Sequence, residues 1–184
     1  PGNSASAAIA EILVARNAPS GIDEFSYFVR AVRDTNYARA RFAEGATVLH
    51  EAVRFDHRGY LSFFLDRGVP VDAKNASGAT ALHDAIRQTR LEAAKILLQK
   101  GADPKALDGS GNTPLHLALT GDKSTAALEL LLSSGADPSI KDKGGNTALH
   151  LAVAIGYEPA SAGKLIAGGA PIDAANSNGD TALT

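Results

Sequence analysis

Residues 113–118 read Thr-Pro-Leu-His-Leu-Ala, and related stretches occur at 47–52 (Thr-Val-Leu-His-Glu-Ala), 80–85 (Thr-Ala-Leu-His-Asp-Ala) and 147–152 (Thr-Ala-Leu-His-Leu-Ala). A fifth copy, Thr-Ala-Leu, opens at Thr181. The steps between successive threonines are 33, 33, 34 and 34 residues. A fixed period of this length predicts an array of structural repeats, because each unit buries its apolar face only by stacking on a neighbour.

Each repeat contains two apolar blocks that predict two helices. A threonine directly before an apolar run is a typical helix cap, and Pro114 suits a first helical turn. The second block, for example 130–132 (Leu-Leu-Leu), is followed by Gly135, which can adopt the left-handed conformation that ends a helix. An Asp or Asn to Gly segment such as 108–111 then forms a tight turn. We therefore predict helix, turn, helix and an extended finger in each unit.

This pattern resembles the ankyrin repeat, whose signature is T-P-L-H-x-A at a period of 33, and the resemblance covers residues 43–184. It implies an all-α, ankyrin-repeat helical solenoid. We expect the repeats to occupy 46–78, 79–111, 112–145 and 146–179, with a partial repeat at 180–184. The two longer steps predict one extra residue near 121–123 and another near 156–159, in both cases between the two helices of a unit.

Residues 1–45 are less regular. Residues 9–19 resemble the second half of a unit, and Ser26 stands where a capping threonine is expected, but only 21 residues separate it from Thr47. We interpret 1–45 as a degenerate or incomplete N-terminal repeat or cap. Because the chain begins and ends within a repeat, we expect it to be a monomeric piece of a longer array.

Composition argues against several classes of protein. Lys and Arg total 18 against 20 Asp and Glu, a net charge of −2, whereas nucleic-acid binding depends on excess basic charge. No apolar stretch approaches the roughly 18 residues of a membrane span, so we expect no membrane insertion. The absence of cysteine removes disulfides, thiolate metal sites and cysteine nucleophiles, and fits a cytoplasmic or nuclear location.

Four histidines recur at the same position of the repeat and raise the question of a metal site: His50, His83, His116 and His150. Zinc ligands lie about 2 Å from one ion. Equivalent positions in stacked helices are about 8–10 Å apart, so these side chains cannot converge on one metal. The resemblance implies a structural role instead, in which each histidine hydrogen-bonds the backbone of a neighbouring turn.

Motifs for catalysis or cofactor binding fail on inspection. Gly163-Lys164 is followed by Leu165 rather than Ser or Thr, so it is not a phosphate-binding loop. No Gly-x-Ser-x-Gly elbow occurs. Acidic residues follow His50 and His83 directly, but adjacent residues of a helix point to different faces. We expect no catalytic residue, no cofactor and no enzymatic activity.

The resemblance implies a protein–protein interaction scaffold that binds a partner through its finger tips and concave groove. Carried onto this sequence, the contact positions at the tips and at the ends of the first helices are Arg54, Phe55, Lys74, Ser77, Arg87, Gln88, Asn112, Lys141, Lys143 and Ile155. Neighbouring tip and helix-end positions include Leu107, Ser110, Thr120 and Ala154. The alternative is a targeting or regulatory arm of a larger enzyme whose catalytic domain lies outside this sequence. The identity of the protein partner does not follow from these residues.

Overall fold

The structure, a computed structural model, describes residues 41–120 and 125–183. Within these ranges the chain forms eight helices and no strands, and the prediction of an all-α solenoid is confirmed. The first helices of the four units are α1 (Val48–Arg54), α3 (Ala81–Arg87), α5 (Pro114–Thr120) and α7 (Ala148–Ala154). The second helices are α2 (Arg58–Asp66), α4 (Leu91–Gln99), α6 (Thr125–Ser133) and α8 (Pro159–Ala167). None has more than nine residues, and none could cross a bilayer.

The helices form two layers. Each first helix packs on its own second helix and on the first helices of the neighbouring units, and the second helices pack on one another in the same order. The leucine of every signature motif is buried, as is the central apolar residue of every second helix: Leu49, Leu82, Leu115, Leu149, Phe64, Leu97, Leu131 and Leu165. One continuous core therefore runs through all four units.

Local sequence signals explain where the helices begin and end. Thr47, Thr80 and Thr147 are the N-caps of α1, α3 and α7, and Pro114 is the first residue of α5. After α4 the chain turns at Gly101, whose φ of 89° is in the left-handed region that favours glycine. Of the predicted insertion near 156–159, residues 156–158 lie between α7 and α8, and Pro159 is the first residue of α8. The insertion predicted near 121–123 lies outside the described residues.

The structure covers only a small part of the segment 1–45, which is predicted to be a degenerate or incomplete repeat or cap. Of residues 1–45, the structure describes the last five, where Ala43–Gly45 form one 3-10 turn. Ser26 and residues 9–19 lie outside the described residues, so their interpretation as a degenerate repeat or cap stays a prediction. The division of the remaining chain at residues 78, 111, 145 and 179 also stays a prediction.

Candidate functional site

The fingers are joined to one another by backbone hydrogen bonds. Gly109 N donates to Ser77 O at 2.7 Å, and Ser177 N donates to Gly144 O at 2.9 Å. The fingers approach so closely that a Cβ added at Gly78, where φ is 76°, would lie 2.7 Å from Gly109 N. Glycine is therefore required at Gly78 both for its conformation and for the contact. The ladder holds the finger tips at a regular spacing.

An Asn or Asp side chain shapes each finger from within. Oδ1 of Asp108 accepts hydrogen bonds from the backbone N–H groups of Ser110, at 2.8 Å, and Asn112, at 2.9 Å. Partial burial acts to raise the pKa of Asp108, but these hydrogen bonds outweigh it and lower the pKa below its usual value. Asp142 accepts equivalent bonds from Asn146. These carboxylates stabilise the fingers.

Three lysines extend from the fingers. The ammonium Nζ of Lys74 donates to Leu107 O at 2.7 Å, and that of Lys141 donates to Ala175 O at 2.7 Å, each in the next finger. Lys143 is exposed, and its ammonium group makes no hydrogen bond within the described residues. None of the three has a carboxylate at ion-pair distance in residues 41–120 and 125–183. None of the three ammonium groups is therefore ion-paired within the described residues.

Each of the four signature histidines links a first helix to the next finger. Nε2 of His50, His83, His116 and His150 lies 3.0–3.2 Å from the carbonyl oxygen of Ala79, Asn112, Asn146 and Asp180, respectively. Nδ1 accepts the backbone N–H of the capping threonine at 3.2 Å in every unit. Since a carbonyl oxygen only accepts, Nε2 must carry a proton. Since Nδ1 accepts a hydrogen bond, it carries none, and the ring is therefore neutral.

Burial favours this neutral form. It lowers the pKa of His50, His83 and His116, although the hydrogen bond to the finger carbonyl acts in the opposite direction. Burial also raises the pKa of Glu51, and the neighbouring Arg54 only partly offsets this effect. None of these residues belongs to a group of three or more potential ligands, because the described residues contain no such group able to hold a metal ion.

The ends of the first helices differ along the solenoid. Arg54 pairs with Glu51 and lies 4.7 Å above the ring of Phe55, which is 37 % exposed. Arg87 pairs with Asp84 at 2.6 Å. Gln88, next to it, is exposed and ends α3.

In the fourth unit the corresponding positions are apolar. Ile155 ends α7 and is 39 % exposed. Leu117 and Leu151, half-buried, occupy the positions that carry Glu51 and Asp84 in the first two units. The surface formed by the described residues at these two helix positions therefore passes from an ion-paired half in units one and two to an uncharged half in units three and four.

The sequence-predicted contact residues lie on two sets of elements. Lys74, Ser77, Asn112, Lys141 and Lys143 lie on the fingers, while Arg54, Phe55, Arg87, Gln88 and Ile155 lie at the ends of first helices.

Sequence reasoning missed two features of this surface. One is the donation by the ammonium groups of Lys74 and Lys141 to the next finger, which requires a carbonyl that only the folded array brings near. The other is the pairing of each arginine with the acid three residues before it, a helical spacing that could have indicated the pair.

Comparison with known proteins identifies the repeats. A family model described as ankyrin repeats (3 copies) matches residues 12–108, a second, ankyrin repeats (many copies), matches 97–152, and a third, ankyrin repeat, matches 144–177. The first of these matches begins within the segment 1–45. No curated protein sequence matches the chain.

Proposed function

Because this chain belongs to the ankyrin repeat family, whose members are generally protein–protein interaction modules, we propose that it binds a protein partner through its finger tips and the concave ends of its first helices. It does so without catalysis of its own. The observation that supports this proposal is the finger ladder, which fixes exposed tips at regular intervals beside exposed helix ends. Because the backbone of the described fingers is already held by hydrogen bonds, binding there orders less of the chain, which lowers its entropic cost.

The ten predicted contact residues fall into groups according to the interactions that they already make within the array. Ser77 and Asn112 hydrogen-bond within their own fingers, and Lys74 and Lys141 hold neighbouring fingers. Arg54 and Arg87 are ion-paired. Phe55, Gln88, Lys143 and Ile155 are exposed, and we use them as the probes of binding.

The test begins with capture of a partner on the immobilised chain and its identification by mass spectrometry. Affinity is then measured for Phe55→Ala, Gln88→Ala, Lys143→Glu and Ile155→Ala. We expect at least one to weaken binding about tenfold, as is common for central contact residues. Matched controls on second helices are Lys95→Ala and Lys164→Ala, whose side chains pair with Glu92 and Glu129 there. Intact affinity in all four probes, with loss in a control, would refute the proposal.

A further inference from the structure

The uncharged half of the concave side offers a different chemistry from the ion-paired half. In units one and two, Glu51 pairs with Arg54 and Asp84 pairs with Arg87. A partner that covers these groups must desolvate two ion pairs, which offsets much of the attraction it gains. The same positions in units three and four are Leu117 with Thr120 and Leu151 with Ala154. Burial of this half removes apolar surface from water without that cost.

Two further apolar side chains are exposed, one in the finger at the end of unit two and one at the end of α7 in unit four. Leu107, in the finger that precedes α5, is 41 % exposed, and Ile155, at the end of α7, is 39 % exposed. The name apolar stretch is used below for these two residues and the half-buried Leu117 and Leu151, that is, for Leu107, Leu117, Leu151 and Ile155. Successive units of packed helices are about 8–10 Å apart. Apolar groups of a partner that meet Leu117 and Leu151 must therefore be about 10 Å apart.

The finger beside this stretch is positively charged. Residues 141–146 contain Lys141, Asp142 and Lys143, a net charge of +1. The Asp142 carboxylate accepts hydrogen bonds from Asn146, and Lys141 donates to a neutral carbonyl. Lys143 is exposed and has no carboxylate at ion-pair distance among the described residues. Charge complementarity therefore favours a carboxylate on the partner.

We propose that the partner presents an acidic, amphipathic protein segment, with two apolar side chains about 10 Å apart over Leu117 and Leu151 and a carboxylate that reaches Lys143. The inference rests on the proposed function and narrows it to one half of the surface and one class of partner. A spacing of about 10 Å corresponds to positions i and i+7 of a helix, at 1.5 Å per residue. In an extended strand, positions i and i+3 are also about 10 Å apart, but their side chains point to opposite faces, so the spacing favours a helical segment.

The chain itself supplies the matched variant. Leu151→Glu combined with Ala154→Arg gives unit four the pair that Glu51 and Arg54 form in unit one. The array already accommodates that pair at this position of the repeat, so the helices should be retained, and circular dichroism verifies this. Ile155→Ser serves as a second variant at an exposed site, and Lys143→Glu tests the charge. Lys95→Ala, on a second helix, is the control.

The probe is a displayed library of random sixteen-residue peptides, selected on the unaltered chain. We expect enriched sequences with Asp or Glu and two apolar residues at positions i and i+7. Their binding should weaken at least tenfold in the Leu151→Glu, Ala154→Arg variant and in Lys143→Glu, with a smaller loss in Ile155→Ser and none in Lys95→Ala. Basic or purely polar enriched peptides, an absence of enrichment, or binding insensitive to the unit-four changes would each overturn the inference.

Two further outcomes separate this inference from the broader proposal. A captured protein partner whose affinity falls in Phe55→Ala or Gln88→Ala, but not in the unit-four variant, would reject the inference and retain the interaction module. Tight binding of a single-stranded oligonucleotide that Lys143→Glu abolishes would assign the positive finger to nucleic acid and reject the acidic peptide.

Discussion

Nε2 of His116 lies 3.2 Å from the carbonyl oxygen of Asn146, thirty residues further along the chain. The ring thus joins the first helix of unit three to the finger of unit four, while its Nδ1 accepts the backbone N–H of Thr113. The ring is fully buried, its hydrogen bond with Thr113 is buried, and its hydrogen bond with Asn146 is partly buried. The same side chain therefore accepts a hydrogen bond at the start of a helix and links that helix to the next unit.

We expect His116→Ala to lower the free energy of unfolding by about 1–3 kcal/mol, since it leaves the half-buried Asn146 carbonyl and the buried Thr113 N–H without this partner. Urea unfolding followed by circular dichroism measures the change. Gln88→Ala, at an exposed helix end, is the control and should be within about 0.5 kcal/mol of the parent. A metal chelator should leave the melting temperature unchanged; a large drop would mean that the histidines hold a metal.

The histidines also predict how stability depends on pH. The pKa values of His50, His83 and His116 are lowered from 6.5, so between the two values the unfolded chain binds more protons than the native one. The free energy of unfolding therefore rises with pH in this window. The contribution of the three histidines is complete above pH 6.5 and is lost as the pH falls below that value. The raised pKa of Glu51 acts in the opposite direction just above 4.5.

We expect urea midpoints to change little from pH 7.5 to about pH 6.5 and to decrease from there to pH 5.5. His83→Gln should reduce the slope, because one of the three contributing groups is removed, although the variant will be less stable at neutral pH. An equal slope in the parent and the variant would show that other groups govern the acid sensitivity.

Core packing gives a sharper contrast between buried and exposed leucines. Leu97 and Leu131 are fully buried in the second-helix layer, whereas Leu107 is 41 % exposed. We expect Leu97→Ala or Leu131→Ala to lower the free energy of unfolding by about 2–5 kcal/mol through loss of apolar burial and a cavity between units. Leu107→Ala should change it by less than about 0.5 kcal/mol. Similar losses at Leu107 and Leu97 would contradict the layered core.

Much of this architecture could be predicted from sequence, because capping and turn chemistry are local. Thr80 and Pro114 indicate helix starts, and Gly101 marks a helix end, without knowledge of the rest of the chain. Contacts between units are harder to predict from the sequence. The hydroxyl of Tyr157 donates to Ala118 O at 3.3 Å, across 39 residues, and only the folded stack brings them together.

The candidate surface shows the same division. The repeat alignment places Lys141 and Lys143 on one finger, but it does not show that Lys141 already holds the next finger through Ala175. Such a bond depends on the distance between fingers, which a one-dimensional pattern does not contain. The ion pair between Arg87 and Asp84, in contrast, follows from a helical spacing of three and was predictable in principle.

The two lysines should consequently differ in their effect on folding. We expect Lys141→Glu to lower the free energy of unfolding by about 0.5–1 kcal/mol, because an exposed hydrogen bond to Ala175 O is lost. Lys143→Glu should be within about 0.5 kcal/mol of the parent. Thermal melts of both variants at low and moderate salt measure the difference. Equal stability of the two variants would mean that the bond between fingers contributes nothing in solution.

The last prediction concerns Ser161, in the first turns of α8. Its side chain is fully buried and its Oγ has no hydrogen-bond partner within the described residues. The equivalent positions in α4 and α6 are Ala93 and Ala127, both nearly or fully buried. A buried hydroxyl without a partner costs about 1–3 kcal/mol, and alanine also has the higher helix propensity.

We therefore expect Ser161→Ala to raise the free energy of unfolding by about 1–2 kcal/mol. The matched control is Ser134→Ala, just after α6, because its hydroxyl donates to Leu130 O at 2.7 Å and the substitution removes that bond. In denaturant unfolding, the free energy of unfolding should be higher than that of the parent for Ser161→Ala, and equal to or lower than that of the parent for Ser134→Ala. A lower free energy of unfolding for Ser161→Ala would contradict this prediction. It would show that the hydroxyl forms a hydrogen bond in solution, for example with a bound water, because its removal destabilises the protein only if such a bond is lost.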